Sequence, residues 1–148
     1  MPDDVLLNGH LANSYARLGN CLLESGDTKI ALEYCRKALA SRLKLSAKNL
    51  GGNANRGALA ECYTNLGKAV APRNREEALQ HYSKAIDLLE RLTIADVNNA
   101  KDRIRLADAL ANAARLYARM ASTNNEVLSV RLHPSRTSSL SVRRRPVL

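Results

Sequence analysis

Apolar residues recur along this chain at steps of three and four. Leu11, Tyr15, Leu18 and Leu22 fall on one face of a helix, and Ala31, Cys35, Ala38 and Leu39 on one face of the next. Between the two runs, Glu24-Ser25-Gly26-Asp27-Thr28 supplies a glycine stop and an Asp or Thr cap for the following helix. The punctuation returns at Ala71-Pro72-Arg73-Asn74, where Pro72 ends one helix and Asn74 caps another. Leu50-Gly51-Gly52-Asn53 and Ala95-Asp96-Val97-Asn98-Asn99 separate the remaining segments. The spacing predicts helices over residues 4–25, 28–49, 55–71, 75–94 and 100–121. Connections this short make neighbouring helices antiparallel.

The chain also resembles itself. Leu11, Ala12, Tyr15, Leu18 and Gly19 recur 48 positions later as Leu59, Ala60, Tyr63, Leu66 and Gly67. A second block, Ala31-Leu32, Lys37-Ala38 and Leu45, recurs at an offset of 47 as Ala78-Leu79, Lys84-Ala85 and Leu92. A third copy of the first block is legible at Leu106 to Ala114. Two blocks repeating in the same order describe a two-helix unit used more than once.

Composition agrees with the periodicity. Of 148 residues, 45% are apolar, yet the aromatics are five tyrosines, with no Phe or Trp. A core of Ala and Leu suits closely packed helices and not a sandwich of strands, so the fold class is all-α. The net charge is +9, with residues 122–148 carrying five arginines (131, 136, 143, 144 and 145) against Glu126. Such a surface attracts anions without specificity. Cys21, Cys35 and Cys62 are odd in number and have no close spacing, which fits free thiols in a reducing compartment better than disulfides or a metal site. No secretory pattern opens the sequence, and no apolar run is long enough to span a membrane. The expectation is a soluble, cytoplasmic protein.

With these motifs in hand, the chain resembles the tetratricopeptide repeat family. The first unit reads Tyr15-x2-Leu18-Gly19-x2-Leu22, then Ala31-x3-Cys35 and Ala38. The second reads Tyr63-x2-Leu66-Gly67-x2-Val70, then Ala78-x3-Tyr82 and Ala85, and a degraded third reads Leu110-x2-Ala113-Ala114-x2-Tyr117. The period is longer than the usual one of about 34, and the Pro after the second helix is missing. This long form is similar to repeats appended to bacterial serine/threonine protein kinases, although no kinase motif occurs in the chain. The resemblance implies a right-handed α-solenoid of about two and a half repeats and five main helices, over residues 1–121 in units 4–49, 55–94 and 100–121. Residues 122–148 would form a basic, mostly disordered tail, with Val127, Leu128 and Val130 a vestige of a missing sixth helix.

In this family the first helix of each unit lines a concave groove that holds a peptide. Carried over by position, the groove residues are Asn13, Arg17, Asn20 and Glu24, then Glu61, Thr64, Asn65 and Lys68, then Asp108, Asn112, Arg115 and Arg119. They form levels across the units: Asn13/Glu61/Asp108, Arg17/Asn65/Asn112 and Asn20/Lys68/Arg115. Amides at such positions hydrogen-bond a peptide backbone, and the cations meet carboxylates. A subclass of the family clamps the C-terminal carboxylate of chaperone tails. Asn20 and Asn65 match two of its positions, but Ala16, Asp108 and Asn112 stand where it needs cations, so that ligand is rejected.

Other chemistry is weak. His10, His81 and His133 are scattered, with His81 expected to be exposed, and no local nucleophile motif is present. Glu76 and Glu77 favour the start of their helix electrostatically. Arg143-Arg144-Arg145 lacks the interleaved aromatics of a nucleic-acid site, and Arg136-Thr137-Ser138-Ser139 is an equally weak phosphate-acceptor signal. The expectation is a non-catalytic adaptor or scaffold without metal or cofactor, binding a protein or peptide with acidic segments. The alternatives are an oligomerisation segment working through the open face of the 100–121 helix around Leu116 and Tyr117, or a regulatory fragment of a larger bacterial signalling protein such as a kinase. Charge-driven nucleic-acid binding ranks below them.

Overall fold

A computed structural model describes residues 2–132. Five helices follow one another: α1 (Pro2–Glu24), α2 (Thr28–Ala47), α3 (Gly52–Val70), α4 (Arg75–Ala95) and α5 (Ala100–Leu132). There is no strand among the described residues, and the fold is all-α.

The helix boundaries follow from capping chemistry. Asp27 accepts the Ile30 N–H through Oδ1 at 3.2 Å, and Asn74 accepts the Glu77 N–H through Oδ1 at 3.1 Å. Each satisfies one of the donors that a helix start leaves unpaired. Asn99 does the same for α5, accepting the Asp102 N–H at 3.3 Å, while its own amide donates to the Asp102 carboxylate at 2.8 Å. At the end of α1, Gly26 turns left-handed (φ +86°), so that Asp27 N–H reaches Leu22 O at 2.9 Å. Helix α2 ends two residues earlier than its periodicity predicts, because Asn49 takes the left-handed conformation and sends Leu50 N–H back to Leu45 O.

The largest departure from expectation is at the other end of the chain. Helix α5 runs past residue 121 to Leu132, so Val127, Leu128 and Val130 belong to it and form no returning sixth helix. The polar run Ser122-Thr123-Asn124-Asn125 lowers helix propensity but contains neither Gly nor Pro, so it carries no stop signal. The expectations for His133, the Arg136–Ser139 segment and Arg143-Arg144-Arg145 lie outside the described residues.

Two compact units are distinguished, Met1–Leu116 and Tyr117–Leu148. In the second, the described part is the helical stretch 117–132, with Tyr117 exposed. In the first, α1 packs on α2, α2 on α3 and α3 on α4. Ala60 of α3, Ala85, Leu89 and Leu92 of α4, and Ala109 of α5 form a buried cluster, with Tyr63, Ile86, Leu88 and Leu106 against it.

The internal repeat is physical as well as textual. In the α1–α2 pair, Lys37 Nζ lies 5.8 Å from the Tyr15 ring centre; in the α3–α4 pair, Lys84 Nζ lies 5.6 Å from that of Tyr63. Tyr15 meets Tyr34 at 6.1 Å between ring centres, and Tyr63 meets His81 at 6.2 Å. A Cβ added to Gly19 would lie 2.8 Å from Cys35 Sγ, and one added to Gly67 would lie 2.7 Å from Tyr82 Cδ1. Each of these contacts in the first pair has its counterpart 47 or 48 positions on. The two pairs are one packing solution used twice.

The pairs differ in burial. Leu59 and Leu66 of α3 are buried, whereas their counterparts in α1, Leu11 and Leu18, are 40% and 47% exposed. Periodicity alone puts all four inside. Helix α3 has neighbours on both sides, while α1 has α2 and only a light contact with α3. Its inward face is therefore carried by Ala12 and Gly19. His81 is a second correction. It is not exposed but half-buried against Tyr63, because the residue at that position meets the tyrosine of the preceding helix in both pairs.

Candidate functional site

Helices α1, α3 and α5 face a common cavity in the first unit. Its inner part, about 330 Å³, is lined by Asn13, Ala16, Arg17, Asn20, Arg42, Ala58, Glu61, Cys62, Lys101 and Arg105. A neighbouring space of about 440 Å³ shares Asn13, Arg42, Ala58, Lys101 and Arg105, and continues past Val5, Leu6, Gly9 and His10 to Asn99 and Asp102.

The residues inferred from sequence are distributed unevenly around this space. Asn13, Arg17, Asn20 and Glu61 line it and are exposed. Glu24 is exposed on α1 but does not line it, and Arg115 is exposed on α5. Arg119 lies in the second unit and is described only as an exposed residue of that stretch. Thr64 and Asn65 are buried. Thr64 donates its hydroxyl to Ala60 O at 3.2 Å, so this side chain is turned to its own helix. Both sit on the central helix, whose flanks are covered by neighbours, and positional carry-over from a two-sided groove does not anticipate that.

The levels also interlock instead of lying flat. Lys68 is paired with Asp108 at 2.9 Å, so it is not a free cation beside Arg115. Asn112 donates to Asp108 O at 2.8 Å and to Asp108 Oδ1 at 3.0 Å. Glu61 accepts from Arg105 Nε at 2.9 Å, and the same guanidinium gives Nη1 to Asp102 Oδ1, also at 2.9 Å. Arg105 thereby ties α3 to α5. Gly57 makes room for the pair: a Cβ there would lie 2.5 Å from Asp102 Oδ1 and 2.7 Å from Arg105 Nη1.

Sequence reasoning missed a buried cation in the lining. Arg42 belongs to α2, is 8% exposed, and lines both parts of the cavity. Its Nη1 donates to Asn55 Oδ1 at 3.2 Å and its Nη2 to Asn13 Oδ1. Asn55 is held in turn, donating to Arg42 O at 3.3 Å and Ser46 Oγ at 2.9 Å. Arg42 Nε is buried without a hydrogen-bond partner. A signal was present: Arg42 interrupts an apolar stripe that runs Ala31, Cys35, Ala38 and on to Leu45.

No protein-family model, no curated protein and no solved structure matches this chain. Its chemistry has to be inferred from its own side chains. Among the described residues, no three His, Cys, Asp or Glu side chains are grouped to hold a metal ion. Nor is any helix among them long and apolar enough to cross a membrane. Cys62 lines the cavity, but burial pushes its thiol up to about 12, with the nearby Arg42 charge opposing the shift. Cys35 is pushed up to about 11, again by burial. Neither thiol is a nucleophile near neutral pH, because the thiolate is the reactive form. What the cavity offers is amides and charged side chains on helices, a surface suited to holding a polar chain.

Proposed function

We propose that this chain is a non-catalytic protein-interaction module of the tetratricopeptide kind, which holds a segment of a partner protein against α1, α3 and α5. The cavity between these helices supports the reading most directly, since its exposed rim is made of Asn13, Arg17, Asn20, Glu61 and Lys101 and its walls belong to rigid helices. Asn20 offers both a donor and an acceptor to a peptide backbone, and Arg17 and Lys101 offer charge to acidic side chains. The recurrence of the Lys37–Tyr15 and Gly19–Cys35 contacts in the second helix pair supports the repeat-family assignment. Three free cysteines fit a reducing compartment such as the cytoplasm.

Site-specific photo-crosslinking tests the assignment. A photoreactive residue replaces Asn20 at the cavity or, as control, the exposed Glu33 of α2. A partner captured from Asn20, absent from Glu33, and lost when Arg17, Lys101 and Asn112 are changed to alanine supports the groove. Equal capture from both positions, or survival of the cross-link in the triple variant, refutes it.

A second reading, self-association, is favoured by a separate observation. Leu7, Leu11 and Leu18 share one face of α1 and are exposed, as are Ile104 and Leu110 on α5. Sedimentation then shows a mass that rises with concentration and returns to that of a single chain in a Leu11→Lys/Leu18→Lys variant. A single-chain mass across the whole concentration range excludes it.

A further inference from the structure

We propose that Arg42 is the anchor of a carboxylate-binding subsite at the base of the α1–α3–α5 cavity, which takes one acidic group of the bound segment. The inference rests on the interaction-module reading and adds the chemistry that the groove recognises.

Three observations carry it. A guanidinium this deeply buried ordinarily has a carboxylate for a partner, since an unmatched charge away from water is costly. Arg42 has none: no ion pair among the described residues involves it, and its acceptors are the neutral amides of Asn13 and Asn55. Nor do the cavity's own carboxylates serve it. Glu61 and Asp102 are both held by Arg105. Finally, the fold does not require an arginine at this point. The position 47 residues on is Leu89, wholly buried in the core of the second helix pair.

The vacant chemistry is specific. Each terminal nitrogen of Arg42 carries a second N–H beyond the one given to Asn55 or Asn13, and such a donor meets a carboxylate through a charge-assisted bond, while Nε is sealed inside the protein. Arg17 and Lys101 stand exposed on the cavity wall and form no ion pair among the described residues, so they draw an anion inward. The same lining holds Glu61 and Asp102, which disfavour a doubly charged phosphate and leave one monoanion as the matching ligand. The carboxylate is that of an Asp or Glu side chain within the bound segment.

The experiment is an NMR titration of the full chain, following the Arg42 Nε–H signal together with the Asn20 and Asn112 side-chain amides. The probes are a blocked tripeptide with central glutamate, its glutamine counterpart, a tripeptide with a free C-terminal carboxylate, and inorganic phosphate. The glutamate peptide shifts Arg42 at least about ten-fold more tightly than the glutamine peptide, as loss of one charge-assisted pair demands. Tighter binding of the free-carboxylate peptide than of the glutamate one overturns the assignment to an acidic side chain. Asn13→Asp is the decisive variant, because it puts a carboxylate against Arg42 Nη2 at an exposed position. It weakens the carboxylate probe by about ten-fold or more and leaves the free protein at least as resistant to urea. A glutamine peptide as tight as the glutamate one overturns the inference, as do unchanged affinity in Asn13→Asp, an unmoved Arg42 signal, and phosphate binding more tightly. If the glutamine peptide moves Asn20 and Asn112 as strongly as the glutamate one, the carboxylate subsite falls while the groove reading stands. If no peptide moves them, the cross-linking at Asn20 decides the groove separately.

Discussion

Replacing Gly67 by alanine sets two forces against each other inside one helix. Alanine is worth about 1 kcal/mol over glycine in a helix interior, so an exposed Gly67 would gain stability from the change. Gly67 is not exposed. Its missing side chain is the space in which the Tyr82 ring lies, and an added Cβ would meet Tyr82 Cδ1 at 2.7 Å and Cζ at 2.8 Å. Ordinary contact begins at 3.4 Å, so the ring has to retreat by about 0.7 Å or more. Tyr82 is buried and held by the packing of α4, so the retreat pushes helix against helix. Overpacking of this kind costs about 1–3 kcal/mol. With several ring atoms inside contact distance the cost falls in the upper part of that range, about 2–3 kcal/mol, and subtracting the helix gain leaves an expected net loss of about 1–2 kcal/mol. Gly9 is the control, since its added Cβ meets nothing within 4 Å. Gly9→Ala should therefore gain up to about 1 kcal/mol. Gly19→Ala falls between, because its neighbour at 2.8 Å is the single Sγ of Cys35. Urea unfolding followed by circular dichroism measures all three, and a Gly67→Ala/Tyr82→Leu double variant recovers most of the loss if the ring is its cause. A Gly67→Ala protein as stable as the parent refutes the packing argument.

Other outcomes are expected on the same physical grounds. Asp27→Ala and Asn74→Ala each remove a cap bond and cost about 1 kcal/mol in urea unfolding; a loss under a few tenths in both means that the caps are solvent-compensated. In a thiol-alkylation assay on native protein, exposed Cys21 reacts, while Cys35 and Cys62 react only after denaturant is added; three thiols reacting at one rate contradict the buried positions. Burial holds the His81 ring below its ordinary value of 6.5, and Glu77 opposes the shift only in part. Because the unfolded ring then takes up its proton first, stability is full above about pH 6.5 and falls as the pH drops toward the folded value. His81→Gln removes that slope, and an NMR titration that puts the ring at or above 6.5 sinks the explanation.

The parts of the fold legible in the sequence are those written in local chemistry. Asp27 and Asn74 are cap residues before apolar runs, and both serve as caps. Gly19 and Gly67 recur at the same place in a repeated block, and both admit a side chain from the following helix. The illegible parts depend on how many neighbours an element has. Leu11 and Leu59 share a pattern, yet one is exposed and the other buried, because α1 is covered on fewer sides than α3. The end of α5 was misplaced for a different reason: polar residues weaken a helix without ending it, and only a stop signal marks an end.

The candidate site divides along the same line. Of the residues named from their position on the first helices, Asn13, Arg17, Asn20 and Glu61 line the cavity. Position does not reveal which side chains are already engaged, because that is settled by pairing across helices, as between Lys68 and Asp108. Arg42 escaped notice because it lies on a second helix, where the pattern leads one to expect core. Comparing the repeats position by position instead of motif by motif would have exposed it. Where one copy places Leu89 and the other a buried cation, packing explains the first and does not explain the second. An unexplained departure between two copies of one unit is therefore a better pointer to a working side chain than any polar residue on an open face, where polarity is the ordinary condition.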